Sequence, residues 1–106
     1  MQSAELLNIL SSHRGREQGI HMDRLAARTD VQPRELRKLI SDLRSEGIAV
    51  CGRPETGYFI AETAQELDEF CIKYLESRAL HSLKLSSRLR KIPLQVLAGQ
   101  LFLNQA

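Results

Sequence analysis

The side chains of this chain that could do chemistry are few and scattered. His13, His21, His81, Cys51 and Cys71 are the available soft ligands, and none stands at CxxC or HxxxH spacing. No metal and no cofactor is therefore expected. Gly52 and Gly57 match the opening half of a phosphate loop, but Tyr58 and Phe59 stand where Lys and Ser or Thr are needed. That stretch reads as a turn. No serine has a nucleophile's setting, and no carboxylate pair sits in apolar surroundings that would raise a pKa. The two cysteines are too few for a disulfide framework and lie in apolar patterns, so both read as buried small hydrophobes. An enzyme is not expected. What remains is the chemistry of cations and short polar groups. Gln32, Arg34, Arg37, Lys38 and Ser41 lie close together, and Arg53 follows in the glycine-bounded turn. Arginine can pair with guanine edges, and lysine and serine suit phosphates. These six are the candidate contacts to double-stranded DNA. Asp30, just ahead of them, can add a contact at the helix start.

A helix must carry four of those residues, with Gln32 just before it, and one is written plainly. Pro33 suits a first helical position and Gly47 the residue just past the end. Leu36, Leu39, Ile40 and Leu43 recur at helical spacing and form one apolar stripe. At about 100° per residue, Arg34, Lys38, Ser41 and Ser45 fall opposite, with Arg37 on the flank. Glu35, Asp42 and Glu46 dilute the positive field of this 33–46 helix.

Before it, Ser3 suits the cap of a helix over 4–13, with Leu6, Leu7, Ile9 and Leu10 buried. Arg14 to Gly19 reads as a polar loop, and Ile20 as a very short strand. Met22, Leu25 and Ala26 give a second short helix, 24–28, its apolar side. Thr29-Asp30-Val31-Gln32 makes a tight turn into the third helix. Two helices across such a turn form a helix-turn-helix. After Gly47 the period becomes extended. Strands are predicted at 48–51 and 58–61, joined by the turn 52–57 as a β-hairpin.

This order resembles the winged helix-turn-helix family, most closely the biotin-repressor and DeoR types and small prophage regulators. The resemblance covers about residues 4–61. It is carried by Ile20, Met22, Leu25 and Ala26, then Val31, Arg34, Leu36, Ile40, Leu43, Arg44, Gly47, Ile48 and Val50, then Gly57-Tyr58-Phe59-Ile60. It implies that the 33–46 helix enters the major groove and that the 52–57 wing, with Arg53, touches flanking backbone.

Residues 62–106 lie outside that likeness and are expected to form a helical extension whose long helix packs one apolar side on the winged domain and the other on a second subunit. Thr63-Ala64-Gln65-Glu66 is a capping box. It should open a long helix running to about Ile92, where Pro93 forces a break. Leu67, Phe70, Cys71, Tyr74 and Leu75 share one side, and Leu80 and Leu83 face nearly opposite. Arg88, Arg90 and Lys91 read as a charge cluster at the helix end. A short terminal helix after Pro93 carries Leu97, Leu101 and Phe102 and has no charge. Leu80, Leu83, Leu97, Leu101 and Phe102 are the expected homodimer contacts.

The fold expected is mainly α with a small hairpin: a winged domain over 1–61, a long helix, then a short one. Hydrophobic content of 42% and charged content of 26% are ordinary for a folded chain. A net charge of +2 favours an anionic partner only weakly. No charged region followed by an apolar run opens the chain, so no signal peptide is expected. No apolar run approaches the length of a membrane span. The expected setting is the cytoplasm. The function that follows is a dimeric, sequence-specific regulator of transcription, possessing no effector pocket and of phage or prophage type. The alternative is a protein-binding adaptor in phage or bacterial replication or assembly. The acids of the third helix and the uncharged tail favour the latter.

Overall fold

A computed structural model describes residues 1–91. The chain divides into two compact units, Met1–Leu75 and a second beginning at Glu76. The first contains α1 (Ser3–Leu10), a 3-10 turn (Arg16–Gln18), α2 (Met22–Thr29), α3 (Pro33–Ser45), β1 (Val50–Arg53), β2 (Gly57–Ile60) and α4 (Ala64–Leu67). A π-turn (Asp68–Ile72) then leads into α5 (Lys73–Arg90), which continues into the second unit. This is the expected winged helix-turn-helix followed by a long helix. The short terminal helix, with Leu97, Leu101 and Phe102, lies outside the described residues.

The element ends have local causes. α1 stops at Leu10, short of residue 13. The hydroxyls of Ser11 and Ser12 donate back to the Asn8 and Ile9 carbonyls, closing the last turn. Its cap position is Gln2, not Ser3. α2 is longer than expected and ends where Asp30 takes a left-handed conformation at φ 55°. Aspartate tolerates this better than most residues. α3 opens on Pro33. It closes in a Schellman turn, with the Ile48 N–H on Leu43 O at 3.0 Å and the Gly47 N–H on Arg44 O at 3.0 Å. That turn uses up Ile48, so β1 begins at Val50 instead of 48.

The hairpin pairs Val50 with Ile60 and Arg53 with Gly57, so only 54–56 remain as the turn. Gly57 has φ +74°, and a Cβ there would lie 2.6 Å from the Ile20 carbonyl carbon. The expected short strand at Ile20 is a bridge. Ile20 N–H donates to Tyr58 O at 2.9 Å, and Tyr58 N–H returns to Ile20 O at 2.8 Å. A second bridge joins the loop to the other end of β2. Gly15 N–H donates to Ile60 O at 2.9 Å, and Ile60 N–H to His13 O at 2.8 Å.

Two apolar clusters result among the described residues. The larger gathers Leu6 and Leu10 of α1, Leu25 of α2, the α3 stripe Leu36, Leu39, Ile40 and Leu43, with Ile20 and Val50. Each such side chain stabilises the fold by about 1.5–3 kcal/mol on burial. The smaller holds Cys51 and Phe59 from the hairpin with Phe70 and Cys71 from the π-turn. The first unit therefore extends to Leu75, and the boundary expected at residue 61 cuts through a core. The side of the extension expected against the winged domain packs there, with Phe70 and Cys71 in the hairpin core.

Glu66 ties α4 back to the loop. Its carboxylate accepts the Arg16 N–H and the Glu62 N–H, each at 2.9 Å, while Thr63 Oγ1 accepts the Glu66 N–H at 3.1 Å. The capping box thus forms with a tertiary partner added. The Arg16 N–H, then the Glu62 N–H, hold the Glu66 carboxyl below the ordinary glutamate range. A lowered folded pKa contributes stability that is complete above the unfolded pKa and lost as pH falls through the folded value. Glu66→Gln is therefore expected to cost about 1 kcal/mol at neutral pH, the size of a lost cap. The gap to wild type should close as the carboxylate protonates. Thermal melts of both proteins from neutral to acidic pH check this. A gap that stays constant with pH would show that the charge is irrelevant.

The second unit, from Glu76, contributes the rest of α5, in which no residue is buried. No helix among the described residues is long and apolar enough to cross a membrane.

Candidate nucleic-acid interface

The helix-turn-helix presents α3 as expected. Its stripe is buried, and Arg34, Arg37, Lys38 and Ser41 stand exposed on the outer side with Gln32 just before them. None of the three cations has a side-chain hydrogen bond or ion pair among the described residues. Exposed Glu35 and Asp42 share the helix with them and Glu46 caps its end, so its outer surface is mixed in charge. Arg44 is engaged elsewhere: its Nε donates to Val50 O at 2.8 Å and fastens α3 to the hairpin.

Arg53, the candidate on the hairpin, leans over the π-turn. Its guanidinium carbon lies 5.7 Å from the Phe70 ring centre and 5.8 Å from that of Tyr74. Its Nε is 3.0 Å from Glu55 Oε1, an ion pair out of line for a hydrogen bond. The side chain is half-buried on the π-turn. A cation over two aromatic faces gains about 0.5–1 kcal/mol per exposed contact, and more where water is excluded. The turn itself is Pro54-Glu55-Thr56, whose only charge is acidic. Of the six candidate contacts, the structure gathers five on or beside α3 and turns the sixth inward.

The dimer candidates Leu80 and Leu83 lie on the α5 stretch of the second unit and are exposed, at 52% and 67%. Both thiols are buried and free. Burial, then the neighbouring Cys71, pushes the Cys51 thiol up to about 12, which leaves it protonated and unreactive. Cys71 Sγ donates to Val50 O at 3.4 Å. No cluster of His, Cys, Asp or Glu suited to a metal occurs among the described residues.

A second surface escaped the sequence reading. The loop 13–20 and α2 enclose a cleft of about 330 Å³ lined by His13, Glu17, Gln18, His21, Arg24 and Arg28. His13 Nδ1 lies 2.8 Å from Gln18 O, and Arg28 Nη1 lies 3.2 Å from His13 Nε2. A carbonyl can only accept, so Nδ1 carries the proton and Nε2 accepts from Arg28. His21 Nε2 donates to Pro54 O at 3.1 Å, anchoring the hairpin turn beside the cleft. The available signal was Arg24 and Arg28 at i, i+4, a like-charge pair that costs a helix a few tenths of a kcal/mol.

The family model described as Replication protein A C terminal matches residues 2–49, from α1 to the loop after α3. No curated protein and no solved structure matches the chain. The family match corrects the expected likeness to biotin-repressor, DeoR and prophage regulators. Leu25, Leu36, Ile40, Leu43 and Gly47, which carried that likeness, are core and turn positions. They specify how three helices pack, and say nothing of what the surface meets.

Proposed function

We propose that this chain is a winged-helix adaptor that binds another protein in the setting of DNA replication. The observation that carries this reading is the inward Arg53, fixed over Phe70 and Tyr74 and paired with Glu55. The hairpin thus holds its one cation in an ion pair over the π-turn, where a duplex-binding wing would offer an unpaired cation to phosphates. The mixed charge of α3 points the same way, since binding to a polyanion depends on a concentrated positive face. Similarity over residues 2–49 to the C-terminal family of a replication protein supports the setting.

Arg34, Arg37 and Lys38, exposed and without a partner among the described residues, favour duplex DNA as the second reading. Fluorescence anisotropy with random duplex decides between the two. The adaptor reading expects no saturable binding even at low salt, and no difference between wild type and Arg34→Ala/Lys38→Ala. Crosslinking of the tagged chain in its own cells should then return replication proteins. Saturable duplex binding that falls steeply with salt and is lost in the double variant would establish α3 as a DNA reader instead.

A further inference from the structure

We infer that the cleft between the loop 13–20 and α2 is a carboxylate site that takes an acidic segment of a partner protein. This rests on the adaptor reading and names the surface that does the binding.

The donors are already arranged. Arg24 and Arg28 stand one helical turn apart on α2 and line the same cleft. The Arg24 guanidinium has no hydrogen bond or ion pair among the described residues, although the side chain is exposed beside another cation. Arg28 spends one N–H on His13 and keeps its remaining donors. His13 is itself held by Gln18 O, so Arg28 is steadied on one side without being neutralised. Two guanidiniums at this spacing repel one another until an anion sits between them. A carboxylate there would form charge-assisted hydrogen bonds, about twice as strong as neutral ones.

Size and charge select the occupant. About 330 Å³ corresponds to roughly ten waters, enough for one or two side chains. Glu17 lines the same cleft. A nucleic-acid strand carries a negative charge at every residue, so it would press a phosphate against Glu17 while reaching the arginines. A peptide can place an acid on Arg24 and Arg28 and a glycine or lysine beside Glu17.

The test is a titration of the isotope-labelled full chain with a synthetic peptide of alternating Glu and Gly, followed by amide NMR shifts. Shifts should concentrate at residues 13–28. Arg24→Ala/Arg28→Ala should weaken binding about tenfold or more, the loss expected for hydrogen bonds to a charged group. Both side chains are exposed, so the variant should stay folded, its melt displaced only by loss of the Arg28–His13 hydrogen bond. Arg24→Lys/Arg28→Lys, which keeps charge but not the planar fork, should bind between the two. Shifts centred on Arg34, Arg37 and Lys38, no shifts at all, or binding indifferent to the double alanine would overturn the site. A random duplex that displaces the peptide from 13–28 would also overturn it, as a phosphate site. Duplex binding confined to α3 would sink the adaptor reading while leaving the cleft's selectivity for carboxylate standing.

Discussion

Phe70→Ala is expected to cost about 3–5 kcal/mol, the usual loss for emptying a core aromatic site. The ring is only 6% exposed and meets Phe59 edge to face, with centroids 5.8 Å apart and planes at 67°. Arg16 lies 5.0 Å and Arg53 5.7 Å from its centre. One side chain therefore joins the hairpin, the 3-10 turn and the π-turn. A small domain has about 5–15 kcal/mol in all, so this variant should approach the edge of folding. At 4–8 °C per kcal/mol, its melting temperature should fall by on the order of 15 °C or more. Phe70→Leu keeps most of the apolar volume and should lose much less. Urea unfolding of both measures the difference; a loss below about 1 kcal/mol for the alanine variant would mean the site collapses without cost.

A larger effect is expected from shortening the chain to end at Ala61. That removes Phe70 and Cys71 from Cys51 and Phe59, which are both fully buried. It also removes the carboxylate of Glu66 from the Arg16 and Glu62 amides. Ending the chain at Leu75 keeps all of these. The longer form should unfold cooperatively. The shorter should be less stable than Phe70→Ala, or lose its cooperative transition altogether. Circular dichroism melts of the two forms provide the comparison. Equal stability would make the second cluster dispensable and restore residue 61 as the domain end.

Both expectations turn on contacts that a linear reading does not contain. α3 was legible because its signals are local: Pro33 and Gly47 at the ends, and Leu36, Leu39, Ile40 and Leu43 at one period. The hairpin was legible for the same reason, within two residues at each end of the strands. The π-turn was not. Nothing in Asp68-Glu69-Phe70-Cys71-Ile72 announces a wider helical turn, and burial of both Phe70 and Cys71 depends on a hairpin earlier in the chain. The direction of Arg53 was not legible because it is decided by Phe70 and Tyr74, residues that lie beyond the boundary drawn at 61. The cleft was invisible because His13 and Arg28 meet only through a loop whose path is set by Tyr58, Ile60 and Glu66. Periodicity reports which face of an element is buried. It does not report which neighbour turns a surface arginine aside.

That loop also bears on the time course of folding. α2 and α3 meet through contacts close in sequence, and such contacts form early. Residues 13–20 cannot be pinned until β2 and Glu66 arrive, because Gly15 bonds Ile60 and Arg16 bonds a carboxylate fifty positions away. The loop is then expected to close as a latch after the barrier. Contacts made late leave the folding rate alone and govern how long the folded state lasts. The loss in Glu66→Gln should thus appear in the unfolding limb of a chevron. The cleft at His13 and Arg28 would come and go with the latch, on the timescale of local opening and not of global unfolding.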